Sequence, residues 1–461
     1  MHKTRIRAAD FNDAAWVNHA PLSLADLRGK IVLLDFWTFC CINCQRVLPD
    51  LAALEKEFGE ELVVIGVHSA KFDHEKSERA IKDAIARHKI AHLVINDRDF
   101  KLWNAYAVRA WPTLVLIDPE GYEVARLSGE GHYDELRSLI ANLKAQHTID
   151  RDKSFLPLPV GEGEGVLRYP GKIHVSGDRL FIANSGRGEV LVADLTGKVG
   201  HVIGNLADPQ GLWLEDGRLY IADAGSGEVI VCENELLEKR TLLSQVRSPW
   251  DVTVHGGVLY VAVAGSHAIF GFDLNEQRPF RVAGSGHEDI IDAPAKEAAL
   301  AQTSGLSFYG DMLYFADSET SALRHLENGR VVTDVGSGLF DFGDKDGAAA
   351  QALMQHPLGI ACGAMNGECG GFRVFVADTY NGKIKAFDPV GKTLTTIAEG
   401  FSEPGGLALS GCTLYVADTA AHRIAAIDLK TFEQRTIDVR YEGAGPTRCF
   451  ENYCDGTYDE V

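Results

Sequence analysis

The chain has 461 residues, with 45 Lys and Arg against 65 Asp and Glu, a formal net charge of −20, and is long enough for two or three domains. A composition of 46% hydrophobic and 24% charged residues is that of a globular protein. The acidic balance disfavours nucleic acid, whose phosphates demand clustered Lys and Arg, and anionic membrane surfaces. Nine cysteines are an odd number, unlike a secreted disulfide framework. The basic start of the chain has no apolar run behind it, as a secretory signal requires, and no stretch reaches the ~20 apolar residues of a membrane helix. A cytoplasmic protein that touches neither nucleic acid nor membrane is the expectation.

Taken in chain order, Ile31 to Trp37 (IVLLDFW) is an apolar run broken only by Asp35 and reads as a strand. Gln45 to Phe58 sets Leu48, Leu51, Leu54 and Phe58 on one helical face. Leu62 to Ser69 is a second strand and Ser77 to Ile90 a second helix. HLVIND and TLVLIDPEGYEVARLSG then supply a strand and a hairpin turning at Pro119 to Gly121, and Asp134 to Gln146 is a closing helix. This alternation predicts an α/β domain over residues 1–150, with a mostly parallel sheet covered on both faces. Residues 151–168, rich in Pro and Gly, read as a linker.

From residue 169 to 445 a repeat takes over, exemplified by DPQGLWLEDGRLYIADAGSGEVIVCE from Asp208 and EPGGLALSGCTLYVADTAAHRIAAIDL from Glu403. Six copies end a common strand at Asn184, Asp223, Val263, Asp317, Asp378 and Asp418, at spacings of 39, 40, 54, 61 and 40 residues. A period near 40 with three or four short strands predicts an all-β propeller, here of six blades, with two inserted loops filling the longer intervals. The units resemble the NHL-repeat family of six-bladed propellers. Residues 446–461 are left as a tail. The acidity is uneven: residues 1–150 carry a net −3 and the remainder −17.

The chemical centre is FWTFCCINCQRVLP. Cys41-Ile42-Asn43-Cys44 follows an apolar strand and opens a helix, where the helix N-terminus favours thiolate at the first cysteine. A second cysteine one turn later can resolve a mixed disulfide. The same spacing suits half a zinc site, but no second pair completes four ligands. Cys40 either forms an alternative disulfide or packs away from the site. Asp35 six residues before Cys41, Trp37 in an FW pair, and Val108-Arg109-Ala110-Trp111-Pro112-Thr113 before a later strand together resemble a thioredoxin-like domain. That resemblance implies a buried acid at Asp35 beneath the cysteines and a cis bond at Pro112. It also implies a Trp111–Pro112 loop that pairs with substrate backbone. A thioredoxin-like domain bearing CCINC and followed by NHL repeats resembles the NHL repeat-containing protein 2 family over essentially the whole chain, and the segment Gly66 to Lys76 resembles that family's loop after the second strand.

Other candidates are weaker. His68, with Lys71 and His74, lies in the loop after the second strand and either hydrogen-bonds near the site or shapes the next helix. The recurring Asp223, Asp317, Asp378 and Asp418 suit capping of the turn that follows each, or a ring of acids in the central channel. Cys362 and Cys369 flank a Gly-rich excursion that is either an exposed redox thiol or an inert loop. Cys449 and Cys454 are close enough to bridge, though free thiols are expected in a reducing cytosol. Glu61, Asp73, Glu75 and Glu78 read as a solvated, lysine-interleaved face. No metal and no cofactor is called for. The leading reading is a thiol–disulfide oxidoreductase with catalytic Cys41, Cys44 and Asp35, with Trp111, Pro112 and Trp37 at the substrate and Cys40 and His68 as accessories. Its substrate is a protein or small disulfide, and the propeller docks a protein partner. The competing reading is a non-enzymatic interaction scaffold or redox sensor built on the propeller.

Overall fold

The computed structural model describes residues 5–160, 165–233, 235–364, 371–441, 447–450 and 453–455. The chain divides into two compact units, Met1–Glu162 and Gly163–Val461.

The first unit is built on seven strands: β1 (Ile6–Arg7), β2 (Ala15–Trp16), β3 (Ile31–Trp37), β4 (Leu62–His68), β5 (Leu93–Asn96), β6 (Thr113–Ile117) and β7 (Tyr122–Ser128). Helix α1 (Ile42–Phe58) joins β3 to β4 and α2 (Glu78–Arg87) joins β4 to β5. Helix α3 (Lys101–Ala105) precedes β6, and α4 (Tyr133–Gln146) closes the unit. The sheet order is β1-β7-β6-β3-β4-β5-β2. Only β3, β4 and β5 run parallel to their neighbours; β6 pairs antiparallel with both β3 and β7. The sheet is therefore mixed rather than mostly parallel, because the tight turn at Pro119 to Gly121 forces β7 back alongside β6.

Alternation along β3 and β4 feeds two cores. Ile31, Leu33, Leu62 and Val64 meet Val47, Leu51, Leu54 and Phe58 of α1 and Leu136, Ile140 and Leu143 of α4. Val32, Leu34, Phe36, Ile65 and Val67 face the other way with Leu102 and Tyr106. Both faces are covered, which is why β3 and β4 read as unbroken apolar runs. Helix α3, five residues long, is too short to show a helical period. Glu61 is not part of a solvated face: it is 6% exposed and is paired with Arg151 and, at 2.8 Å, with Lys144. None of the described helices is long and apolar enough to cross a membrane.

In the second unit the described residues form six antiparallel four-stranded blades, starting at Pro170, Pro209, Pro249, Thr303, Gly359 and Pro404. Each blade is one contiguous stretch, and the repeat residues Asn184, Asp223, Val263, Asp317, Asp378 and Asp418 end the second of its four strands. A blade is apolar on both faces, so each buries its neighbour; the first and last share one cluster that includes Ile173, Leu180, Ala408 and Tyr415. There Thr419 Oγ1 donates to Pro170 O at 2.8 Å. Arg440–Tyr441 and Thr447–Phe450 then pair in parallel with Lys198–Ile203, the outer strand of the first blade.

The recurring acids do a structural job on both sides of their position: in the turn that follows, Asp223 accepts from Ser226 Oγ at 2.9 Å and Asp378 from Asn381 Nδ2 at 2.8 Å, and the acids also hold the chain that precedes them. Each accepts backbone N–H groups from the connection entering its own blade. Asp223 accepts from Ala207 N at 2.9 Å and Asp208 N at 2.6 Å. Asp317 accepts from Ala301 N at 2.8 Å, Asp378 from Gln355 N at 2.7 Å and Asp418 from Ser402 N at 2.6 Å. Asn184 does the same with Arg168 N at 2.6 Å. A carboxylate at the end of strand two faces the incoming chain across the hairpin, so the loop is pinned before the turn is reached. Of the downstream cysteines, Cys362 lies in the strand Gly359–Ala364, where burial pushes its thiol up to about 12, an inert position. Cys412, at the turn between the strands Pro404–Ser410 and Thr413–Asp418, is disulfide-bonded rather than free. Cys369 and the side chains of Cys449 and Cys454 lie outside the described residues.

Asp317 and Arg324 are both fully buried and 2.7 Å apart, and Arg324 also donates to Ala299 O at 2.8 Å. Removing one partner of such a pair leaves an uncompensated charge, at a cost of about 3–5 kcal/mol. Arg324→Met is accordingly expected to lower the denaturation midpoint of the propeller sharply. Arg324→Met combined with Asp317→Asn should recover part of the loss, both read by chemical denaturation.

Candidate active site

β3 ends at Trp37 and hands the chain to a three-residue loop, Thr38-Phe39-Cys40, before α1. Cys41 is the N-cap of α1 in extended conformation, with φ −75° and ψ 113°. It accepts the first helical hydrogen bond, from Gln45 N, at 3.1 Å. The first turn of α1 holds no acid. Helix geometry brings Cys44 back under Cys41, and the two thiols are hydrogen-bonded and unbridged. The site is thus in its dithiol form. Cys41 is 7% exposed and Cys44 fully buried. Burial, the Cys41 hydrogen bond and the charge of Asp35 all push the Cys44 thiol well above its ordinary range.

Asp35 lies in the middle of β3, paired with Gly66 on β4. It is completely buried and neither carboxylate oxygen has a hydrogen-bond partner in the protein. Desolvation raises its carboxyl to about 7, against a small opposing pull from His92. A carboxyl so placed changes protonation near neutral pH, in electrostatic reach of Cys44.

The loop itself is held by a residue that composition alone hides. Glu75 is fully buried, not part of a solvated face. Its Oε1 accepts from Thr38 Oγ1 at 2.7 Å and from Cys40 N at 2.9 Å. Its Oε2 accepts from Lys71 N at 3.0 Å and Phe72 N at 2.9 Å. One carboxylate therefore ties the cysteine loop to the loop after β4. Four charge-assisted bonds satisfy its buried charge. Cys40, 4% exposed, is fixed through its backbone N–H by Glu75.

His68 is fully buried, and its Nε2 accepts from Phe39 N at 3.4 Å. Its ring stacks on Phe39 at 5.3 Å between centroids and meets Trp37 edge-on at 5.1 Å. Burial pulls its imidazole down to about 3, so it stays neutral and packs rather than shuttling protons. Trp37 fills the space under the loop. The Trp111–Pro112 bond is cis, and Thr113 pairs with Phe36, so the register carries Pro112 to the end of β3 where the cysteine loop departs. Trp111 is fixed by its Nε1, which donates to Ser69 O at 2.9 Å, and by a tilted ring contact with Trp103 at 4.5 Å between centroids. Sequence reasoning missed Glu75 and Ser69, whose partners lie 35 to 42 residues away, beyond any local period. Among the described residues, no three His, Cys, Asp or Glu side chains converge as metal ligands.

Residues 29–123 match the family described as Thioredoxin-like. NHL repeat-containing protein 2 of Gallus gallus is 35% identical, over 91% of this chain and 69% of its own length. Protein SUPPRESSOR OF QUENCHING 1, chloroplastic, of Arabidopsis thaliana is 34% identical over 92% of this chain, which spans 46% of that longer protein. Thiol-disulfide oxidoreductase ResA of Bacillus cereus is 29% identical over 26% of this chain and 68% of its own length. With a thioredoxin-like unit, a six-bladed propeller and this extent of shared sequence, the chain belongs to the NHL repeat-containing protein 2 family.

Proposed function

We propose that the thioredoxin-like unit performs thiol–disulfide exchange on a protein or small-molecule disulfide, and that the propeller docks the protein partner. The observation that carries this reading is the buried, unpartnered Asp35 carboxyl within electrostatic reach of the Cys44 thiol. Burying a carboxyl without a partner costs stability, and a scaffold with spent cysteines gains nothing from it. The resemblance of residues 29–123 to thioredoxin-like proteins supports the same chemistry. The concentration of negative charge downstream of residue 150 supports the propeller as the selective surface.

In the reducing direction, Cys41 attacks one sulfur of the partner disulfide as thiolate. The partner's other sulfur leaves as a thiolate and takes up a proton from solvent. Asp35 accepts the proton of Cys44, and Cys44 then attacks the Cys41 sulfur of the mixed disulfide. The partner's second sulfur leaves as a thiolate that takes its proton from solvent, so the partner departs as a dithiol, two electrons reduced, and Cys41 and Cys44 are left joined. Trp111 and cis-Pro112 serve as the substrate-facing wall, with the backbone before Pro112 offered to the partner chain; Trp37, expected at the substrate from the sequence, is fully buried and supports the site from beneath.

Cys44→Ser should accumulate a covalent mixed disulfide at Cys41 when exposed to lysate. Mass spectrometry of the trapped species reads it, and a Cys41→Ser control should trap nothing. Absence of any adduct specific to Cys41 would remove the exchange reading. Asp35→Asn should keep alkylation of Cys41 while slowing release from the mixed disulfide about 10²-fold. The wild-type rise of that step with pH through about 7 should vanish in the variant. The stability sign is also set. A carboxyl raised in the folded state binds more protons there than in the unfolded chain, so its contribution becomes less favourable as pH rises from the unfolded value to about 7. Asp35→Asn should therefore gain more stability at alkaline than at mildly acidic pH, each tenfold displacement of proton affinity being worth about 1.4 kcal/mol. Thermal melts at both pH values check this.

A further inference from the structure

Exchange leaves Asp35 carrying a proton that it must lose before the next turnover, in a place without solvent contact. The surroundings of Asp35 lie on the face of the sheet beneath α1. β3 and β4 pair Asp35 with Gly66, and alternation sets Trp37 on the same face. Gly66 contributes no side chain there: a Cβ would stand 2.8 Å from Trp37 Nε1 and 3.3 Å from His92 Nε2. Both of those nitrogens, like both Asp35 oxygens, are buried without a hydrogen-bond partner in the protein. Buried polar atoms are seldom left so, and four around one gap are the kind of set that bridging water satisfies.

The other side of the imidazole leads outward. His92 Nδ1 lies 3.5 Å from Glu55 Oε2 on α1, and the Glu55 side chain is 25% exposed. Glu55 and His92 both line a cavity of about 240 Å³ that Lys30, Glu60 and Lys153 also border. The charged and titratable groups around His92 are thus Glu55 from α1, Asp35 from β3, and these three along the cavity wall. The ring thus turns Nδ1 to Glu55 and the cavity and Nε2 to the space that Gly66, the strand partner of Asp35, leaves empty.

We propose that His92 is a positioning residue for exchange, passing the proton of Asp35 across the gap left by Gly66 and out through Glu55 to solvent. The proposal rests on the thiol–disulfide reading above. Asp35 gives one proton to Nε2, Nδ1 releases one to Glu55 or cavity water, and the ring ends neutral, so the path runs equally well in reverse during oxidation of a substrate dithiol. A methyl group at Gly66 would press on both Trp37 and His92 and close the path.

The test uses the full chain with Cys41 preloaded as a mixed disulfide with thionitrobenzoate, whose release reports attack by Cys44. His92→Gln is expected to slow release roughly tenfold, the scale on which supporting partners act, and to displace its pH profile. Imidazole added to the buffer should restore the rate through the cavity, and alkylation of Cys41 should be unchanged. Gly66→Ala should reproduce the defect. Glu55→Gln, at a partly exposed site that tolerates substitution, should give a smaller slowing of the same kind. Coincident rates and pH profiles for wild type, His92→Gln and Glu55→Gln overturn the proposal. Carbon NMR titration of the Asp35 carboxyl separates it from the underlying reading. If the wild type releases no thionitrobenzoate, the exchange reading fails. The Asp35 midpoint still decides the coupling: it rises in His92→Gln if the two groups are linked, and a midpoint that stays where it was overturns the link.

Discussion

The Asp35 carboxyl, closed off from water and given no hydrogen-bond partner, is the constraint around which the first unit is arranged. Such a group is tolerated only where the rest of the sheet is strong enough to bear its desolvation. β3 supplies that strength: it is central, paired along its length on both sides, and every one of its residues is buried. The same strand then delivers the cysteine loop at its end, so the acid and the thiols are placed by one rigid element rather than by two that move independently. α1 closes over both, bringing Cys44 down from above while its positive end stays at Cys41.

Around this centre the loops are disciplined by charge rather than by apolar packing. Glu75 gathers the backbone on either side of it and joins two loops that follow adjacent parallel strands. In the propeller the same physics recurs at another scale: in four of the six blades a carboxylate holds the incoming connection, and in the fourth blade a buried arginine neutralises it. In the fifth blade Lys385 takes the same role, contacting Asp344 and Asp346 of the inserted loop at 2.9 and 2.7 Å and lying 3.8 Å from Asp378. The insertion that lengthens this repeat is thereby fastened to the blade it interrupts. Across the ring, Lys172 of the first blade donates to Leu358 O and lies 3.9 Å from Asp251 of the third, a further ionic tie in the interior.

Much of this was legible in the sequence because it is periodic or local. The strand and helix runs of the first unit, the repeat of nearly forty residues and the spacing of Cys41 from Cys44 each declare themselves within a short window. Asp35 stood out as the lone acid in an apolar run, and the Trp-Pro-Thr stretch as a loop before a strand. What stayed hidden depends on distance along the chain. Glu75 looks like one more acid among lysines until the fold brings Thr38 and Cys40 to it. The hairpin of β6 and β7 was legible at Pro119 to Gly121, but the antiparallel pairing of β6 with β3 leaves no mark on hydrophobic periodicity, since a strand covered on both faces reads the same in either direction. The repeat acids were recognised as structural and partly hold the turn that follows, but their backbone N–H partners lie upstream, a direction that recurrence alone does not encode.

Each blade is completed by one uninterrupted stretch of chain, so no blade is shared between the two ends of the repeat array. A ring built this way has a seam between its first and last blades that covalent continuity does not hold. The parallel pairing of Arg440–Tyr441 and Thr447–Phe450 onto Lys198–Ile203 works as a clasp across that seam: it carries the chain past the sixth blade and fastens it to the rim of the first. It also sheathes one exposed sheet edge with the protein's own backbone, where a foreign strand would otherwise find an open template. The final residues of the ring thus serve two ends at once, keeping the circle shut and keeping other chains out of it.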